Sequence, residues 1–409
     1  MKKTIMFSIV ALIMLTLPLG AKSQDIKIGA IWPLTGSQAA VGQEAKRGLE
    51  MAVDRINGSG GVLGRKMRLI LEDDKSDPSV GVAAINKLLT ADKIQFLVAG
   101  YSSTVMHPVL GRVKSSNANI LAVINGTTSS KAEEDFGTQG WFFKLYPYDY
   151  HYQRSNVNFL KTVKPQPASI AIVYEDTLFG TTQGKFANQF FKEAGFNIVL
   201  FEPFKSGTPD LSPLLTRVKS TQAEVLFWIG YFGDCMLLVK QSKEINYNPK
   251  LYAASTVWVG MPQFAEGLGK DSDYVVGIDL WTPDVRFPAS KNYPVPFPST
   301  EEWVKRYTQK FSMEPNHWSL VNYIGVEIIA QAIGRAGSLD LKEVNKEMRK
   351  TDTMTPMGPL NFKPSQFGGT QGFTDMIVFQ WKNGKRVIVH PSMVATGTLL
   401  YPTPQWTQR

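Results

Sequence analysis

The chain has 409 residues, of which 43% are hydrophobic and 19% charged, with a formal net charge of +9. That length provides for two cores, and the apolar share excludes wholesale disorder. The basic balance does not point to nucleic acid, because Lys and Arg are interleaved with acids throughout, as in Glu44-Ala-Lys-Arg47 and Lys342-Glu-Val-Asn-Lys-Glu347.

In chain order, Lys2 and Lys3 precede an uncharged apolar run at 5–17, and Ala21 and Ser23 offer small residues for cleavage. The expectation is a secretory signal peptide over 1–23, since the run is shorter than the roughly 20 residues that span a bilayer. Loss of Lys2, Lys3 and Lys22 would reduce the +9 to +6. The single cysteine, Cys235, leaves no partner for a disulfide and no lipid-anchor cysteine near the leader. In Asp234-Cys-Met-Leu-Leu-Val239 it reads as a small core residue. A freely soluble periplasmic monomer is expected.

From Asp25 strands and helices alternate. Residues 26–31 read as a buried strand, and 43–57 as an amphipathic helix with Leu49, Ala52, Val53 and Ile56 on one face. Gly58-Ser-Gly-Gly61 ends it. A strand at 66–72 follows. Asp77-Pro78 is an N-cap and first helical position, opening a helix to about residue 92. Strands are expected at 95–100 and 119–124. A second series gives strands at 169–174, 197–201, 224–230 and 250–254, with helices at 181–194, 209–220 and 234–245 between them. Such alternation builds right-handed crossover units, so the fold class is α/β with two doubly wound parallel-sheet lobes. The proline-rich stretch 281–300 reads as a surface loop. Helices at 301–311, 319–336 and 341–350 exceed what the second sheet needs, so they are expected to return to the first lobe.

Enzyme motifs are absent. Gly180-Thr-Thr-Gln-Gly-Lys185 lacks the spacing of a phosphate loop, and Gly58-Ser-Gly-Gly-Val-Leu-Gly64 follows a helix where a dinucleotide fingerprint would follow a strand. His107, His151, His317 and His390 show no metal-ligand spacing. Asp73, Asp74 and Asp77 are explained by a turn and a helix cap. No metal and no cofactor are expected. Three hydroxyl runs stand at strand-to-helix junctions of the first lobe: Thr35-Gly-Ser37, Ser102-Ser-Thr104 and Thr127-Thr-Ser-Ser130. Strand C-termini of an open α/β sheet share one edge, where helix N-termini expose amide donors, and this suits a carboxylate. Each run is also explained by capping, and Ser130-Lys-Ala-Glu133 reads as a capping box.

The series Pro33-Leu-Thr-Gly36, Ala52-Val-Asp-Arg-Ile-Asn-Gly58, Asp73-Asp-Lys-Ser-Asp-Pro78, Ile172-Val-Tyr-Glu-Asp-Thr-Leu-Phe-Gly180 and Met357-Gly-Pro-Leu-Asn-Phe362 resembles, in order, the branched-chain amino acid (Leu/Ile/Val)-type periplasmic binding proteins. The resemblance implies a type I bilobal fold with three crossovers, a ligand held in the cleft, and an ABC-type membrane permease as partner. Crossovers are placed near Tyr146, Leu280 and Gly358. Lobe 1 would then be 24–145 plus 281–357, and lobe 2 would be 146–280 plus 358–409. By position, the resemblance puts carboxylate anchoring on Ser103 with Ser102 adjacent, and on the loop of Gly126, Thr127 and Thr128. It puts the closing aromatics on Phe179 and Tyr231.

The departures are informative. Family members that bind amino acids usually carry an acid after the second-lobe strand, to hold the ammonium. Here that segment is Ala253-Ala-Ser-Thr-Val-Trp258, with no acid, and the first-lobe position often aromatic in the family is Val41. Tyr101, Trp258, Trp281, Tyr146 and Tyr148 lie in segments expected at the cleft or hinge. An unpaired buried ammonium costs on the order of several kcal/mol. A small carboxylate with an apolar or aryl body is therefore expected, docked on lobe 1 and closed over by Phe179, Tyr231, Ser255 and Trp258. The alternative is a hydrophobic amino acid whose ammonium meets Glu175, Asp176 or Asp234. Further alternatives are a ligand-sensing receptor component and an exported hydrolase using Ser103 with His107.

Overall fold

The computed structural model describes residues 24–291 and 296–409. The leader expected at 1–23 lies outside the described residues. Among the described residues no helix is long and apolar enough to cross a membrane.

The first sheet has the order β13-β14-β5-β4-β3-β1-β2. Its strands are β1 (Ile26–Trp32), β2 (Met67–Asp73), β3 (Phe96–Ala99), β4 (Leu121–Ile124), β5 (Phe142–Lys144), β13 (Lys363–Pro364) and β14 (Thr370–Gln371). The second has the order β16-β15-β10-β9-β8-β6-β7. Its strands are β6 (Ser169–Glu175), β7 (Asn197–Phe204), β8 (Val225–Ile229), β9 (Leu251–Ala254), β10 (Val275–Asp279), β15 (Ile377–Lys382) and β16 (Lys385–His390). β1 to β5 pair in parallel, as do β6 to β10. β10–β15–β16 and β13–β14 pair antiparallel. A separate hairpin joins β11 (Asp352–Thr355) and β12 (Gly358–Asn361). The centre of each sheet is buried on both faces, so strands such as β3 and β8 are continuous apolar runs.

The helices are α1 (Ala39–Gly58), α2 (Pro78–Thr90), α3 (Ser103–Ser116), α4 (Lys131–Phe136), α5 (Asp149–Thr162), α6 (Leu178–Glu193), α7 (Ser212–Ser220), α8 (Phe232–Glu244), α9 (Pro262–Leu268), α10 (Thr300–Phe311), α11 (His317–Ala336) and α12 (Leu341–Arg349). α11 packs along α1 and against β3, so the C-terminal helices do return to the first lobe. The two helices approach closely at Gly48, where a Cβ would stand 1.9 Å from the Ser319 carbonyl oxygen. Asp77 caps α2 through Oδ1, which accepts from Ser79 N at 2.8 Å and Val80 N at 3.0 Å. Cys235 is buried in the second core, with Trp228 Nε1 donating to its Sγ at 3.3 Å.

Three expectations need correction. The third crossover does not fall at Gly358: β13 and β14 still belong to the first sheet, and the chain reaches the second sheet only at β15. Strands two residues long carry no sequence pattern, so β13 and β14 are not visible in the sequence, and the resemblance alone placed the boundary at Gly358. Ser130 forms no capping box. Its amide donates to Asp149 Oδ2 at 2.9 Å, and Glu133 instead accepts from Tyr150 OH at 2.8 Å. α11 begins at His317, two residues before the expected start, because the Asn316 side chain accepts from Trp318 N and Ser319 N. Part of the 281–300 loop, residues 292–295, lies outside the described residues.

Candidate functional site

The C-terminal ends of the parallel strands of both sheets meet across one cleft, as an open α/β sheet requires of its ligand edge. Five loops converge there, following β3, β4, β6, β8 and β9. The first two abut because Gly126 has no side chain: a Cβ would lie 2.4 Å from the Gly100 carbonyl oxygen. Thr127 N then donates to Tyr101 O at 2.8 Å, tying the loops together.

The lobes touch. Ser102 Oγ and Tyr231 OH stand 3.1 Å apart across the cleft. Tyr101 meets Tyr231 with ring centroids 6.0 Å apart, and Trp258 edge-on at 5.2 Å. A small cavity of about 20 Å³ lies at this junction. Tyr101, Thr128 and Trp318 line it from the first lobe. Tyr152, Phe179, Tyr231, Thr256, Val257 and Trp258 line it from the second. Hollows of about 1000 and 1040 Å³ exist elsewhere, one beside α9 and β16 and one along the crossovers. Neither is built from the converging strand-end loops, so size alone does not locate the site.

The walls are aromatic and carry no acid. Phe179 stacks on Tyr231 at 5.1 Å, and Trp258 on Trp318 at 6.1 Å. Trp318 also stacks on Tyr146 at 5.1 Å and meets Tyr101 edge-on at 5.4 Å. Four polar atoms on lining residues are buried without a hydrogen-bond partner: Tyr101 OH, Thr128 Oγ1, Thr256 Oγ1 and Trp318 Nε1. Thr127 Oγ1, just behind, is buried and unpaired as well. Buried polar groups of this kind are costly unless something bonds to them. Burial pushes the Tyr101 and Tyr231 hydroxyls above their ordinary range, so they remain protonated donors.

Behind the second-lobe wall lies an acid, Glu175, at the end of β6 and fully buried. It sits behind Tyr231, whose amide donates to its Oε2 at 3.2 Å, while Thr177 Oγ1 donates to Oε1 at 2.5 Å. Burial pushes its carboxyl up to about 8, with Asp234 adding to the effect. At neutral pH it is largely protonated. Asp234 accepts from Gly207 N at 3.1 Å, and burial raises it too.

Of the residues expected at the site, Tyr101, Thr128, Phe179, Tyr231 and Trp258 line the cavity. Ser102 bridges to Tyr231. Ser103 turns inward, its Oγ accepting from Ser129 N at 3.2 Å. Ser255 lies one layer back, where its Oγ accepts from Gln153 Nε2 at 2.8 Å and Asn156 Nδ2 at 3.0 Å, and its neighbour Thr256 takes the wall. The Thr35 run is spent elsewhere: Thr35 Oγ1 donates to Asp73 Oδ2 at 2.6 Å. Trp281 packs on Trp303 at 5.9 Å, and Tyr148 stacks on Tyr150 at 5.7 Å. His107 pairs with Asp135, its Nε2 2.7 Å from Oδ2, and Ser103 is engaged with Ser129, so no nucleophile–base pair forms. Among the described residues no cluster of His, Cys, Asp and Glu could hold a metal.

Trp318, Tyr152, Thr256 and Val257 also line the cavity and were not expected at the site. At the first crossover segment, Tyr152 OH donates to Tyr146 OH at 3.0 Å, and Tyr146 OH lies 3.3 Å from His317 Nε2. His317 Nδ1 stands 2.7 Å from Asp279 Oδ1, which also accepts from Leu280 N at 2.7 Å. Elements from both lobes thus meet at the Tyr146 and Leu280 segments.

Residues 25–386 match the family model described as periplasmic binding protein. The chain is 28% identical to a Leu/Ile/Val-binding protein homolog 7 from Brucella abortus (strain 2308), over 96% of this chain and 99% of that one. The leucine-binding protein LivK of Thermotoga maritima superposes with a TM-score of 0.77 at 19% identity, over 89% of this chain and 97% of that one. An ABC-transporter solute-binding protein from R. palustris, solved in complex with benzoate, gives 0.73 at 16% identity, over 90% and 96%. The chain therefore belongs to the periplasmic binding proteins.

Proposed function

We propose that this receptor captures a small carboxylate with an apolar or aryl body and delivers it to the permease of an ABC importer. The observation that carries this is the cavity itself: a ring-lined wall without an acid, formed by residues several of whose hydroxyl and indole groups are buried without a partner. The carboxylate docks on the first lobe, at the loops of Ser102 and Thr128 beside the N-terminus of α3, where free amides favour an anion. Phe179, Tyr231, Thr256 and Trp258 then close over the aryl body. A ligand favours closure only through contacts made in the closed state, and these residues supply them. Docking takes place outside the inner membrane, after removal of 1–23, and the receptor acts as a monomer. The lobes pivot on the segments at Tyr146, at Leu280 and between β14 and β15. The benzoate complex of the R. palustris protein supports an aryl acid in this fold.

A second reading, a hydrophobic amino acid, is favoured by Glu175 behind Tyr231 and by the names of the Leu/Ile/Val relatives. It requires Glu175 to lose a proton it holds to about pH 8 and to reach past Tyr231. Calorimetric titration of residues 24–409 decides between them. Benzoate is expected to bind at least about tenfold tighter than leucine, a gap of about 1.4 kcal/mol. Tight leucine binding with no benzoate binding would overturn the reading.

A further inference from the structure

We propose that Arg386 and Glu314 form a latch between the lobes that positions Trp258 against Trp318, so that an ion pair outside the cavity helps retain a ligand it does not touch. This rests on the closing motion described above and not on which molecule is bound. Arg386 lies on β16 of the second sheet, and Glu314 lies between α10 and α11, on the first lobe. The Arg386 guanidinium donates through Nη2 to Glu314 Oε1. Both residues line the hollow of about 1000 Å³ beside α9 and β16, so the pair crosses between the lobes at the edge of open space.

Arg386 is fixed on its own lobe before it meets Glu314. Its side chain is 9% exposed, its Nη1 donates to the Gly260 carbonyl at 2.6 Å, and its guanidinium lies 5.7 Å from the ring centre of Trp381. Trp381 Nε1 in turn donates to the Val259 carbonyl at 2.7 Å. Val259 and Gly260 end the 3-10 turn Val257–Gly260, which carries Trp258. A guanidinium stays charged and presents its donors in a rigid fork, so a head held this way loses little further freedom when a carboxylate reaches it.

Glu314 is joined just as closely to the other tryptophan. It stands four residues before Trp318, and the Asn316 cap that starts α11 fixes the chain between them. The latch therefore connects the two backbones that carry the tryptophan pair, whose rings stack at 6.1 Å across the cleft. His317 makes a second contact between the lobes from the same segment, its Nδ1 2.7 Å from Asp279 Oδ1, but that contact is buried next to the Leu280 segment. The Glu314 side chain is 49% exposed, so its carboxylate returns to water when the lobes part. A contact present only in the closed form is the kind that favours closure.

The test is a double-variant cycle read by calorimetry on benzoate. Glu314→Gln changes an exposed side chain, so it is expected to fold as the wild type does and to bind benzoate about two- to fivefold more weakly, the range of a partly exposed ion pair. In an Arg386→Met background the same change is expected to add nothing. A role for Arg386 confined to the second lobe would leave the effect of Glu314→Gln the same with and without it. A Glu314→Gln chain that binds as tightly as the wild type, or that loses the same factor in both backgrounds, overturns the proposal. Should Arg386→Met fail to fold, Glu314→Lys decides: it sets two cations together and is expected to weaken binding more than Glu314→Gln, and an equal loss overturns the proposal. If the wild type binds leucine and not benzoate, the aryl reading fails, and the same ratios are read with leucine. If it binds neither, small-angle X-ray scattering without ligand decides: a larger radius of gyration is expected for Glu314→Gln, and equal radii overturn the proposal.

Discussion

Trp258→Leu isolates the contribution of ring contacts that exist only when the lobes are shut. Trp258 is buried, and its ring pairs across the cleft with Tyr101 at 5.2 Å and with Trp318 at 6.1 Å. It also pairs with Tyr231 at 6.3 Å, but Tyr231 is on the same lobe, so that contact is present open and closed and cancels. Each aromatic pair contributes about 0.5–1.5 kcal/mol beyond its area. The two cross-cleft pairs together favour closure by about 1–3 kcal/mol, or about 5- to 150-fold in affinity. Leucine keeps the position apolar, so the second lobe stays folded while closure weakens. Calorimetry on benzoate is expected to show a dissociation constant raised by that factor, with an unfolding midpoint near that of the wild type in the absence of ligand. A folded Trp258→Leu that binds benzoate as well as the wild type would refute closure through this wall.

Ser102→Ala and Tyr231→Phe each remove the 3.1 Å bridge between the lobes and should each weaken binding by about 0.5–1.5 kcal/mol. The double variant should be no weaker than either single one in a calorimetric cycle, because the bond is shared. Thr128→Val removes a hydroxyl with no protein partner, so thermal unfolding without ligand should be unchanged, while carboxylate binding falls by about 1.5–3 kcal/mol. Glu175→Gln tests the buried acid. Because the folded carboxyl titrates near 8 against an ordinary 4.5, the native state holds the extra proton between those values. Stability from this group is therefore complete below about pH 4.5 and is lost as pH rises through about 8. Chemical denaturation should show the wild type losing stability over that window, and Glu175→Gln losing less.

The alternation of strands and helices was legible because β3, β4, β6 and β8 are apolar on both faces and the helices between them carry one apolar stripe. Five of the cavity-lining residues were legible because they sit directly after such strands. Trp318 was not, since Pro315-Asn316-His317 reads as a loop until the Asn316 cap is seen. Ser255 and Thr256 were exchanged for a similar reason: the strand fixes where the wall begins, but which of two adjacent side chains faces in depends on the backbone after Ala254. Lys144 gave no signal, because a charge after two phenylalanines reads as surface alternation. Its burial depends on carbonyls of a loop some seventeen residues earlier. The role of the Thr35 run was likewise fixed by a partner, Asp73, on another strand.

A crystal structure of residues 24–409 with benzoate bound tests the central claim most directly. The carboxylate is expected at Thr128 Oγ1 and the Ser102 loop, with the ring among Tyr101, Phe179, Tyr231, Trp258 and Trp318. A carboxylate directed at the second lobe, or the Glu175 side chain swung past Tyr231 into the cavity, would contradict it.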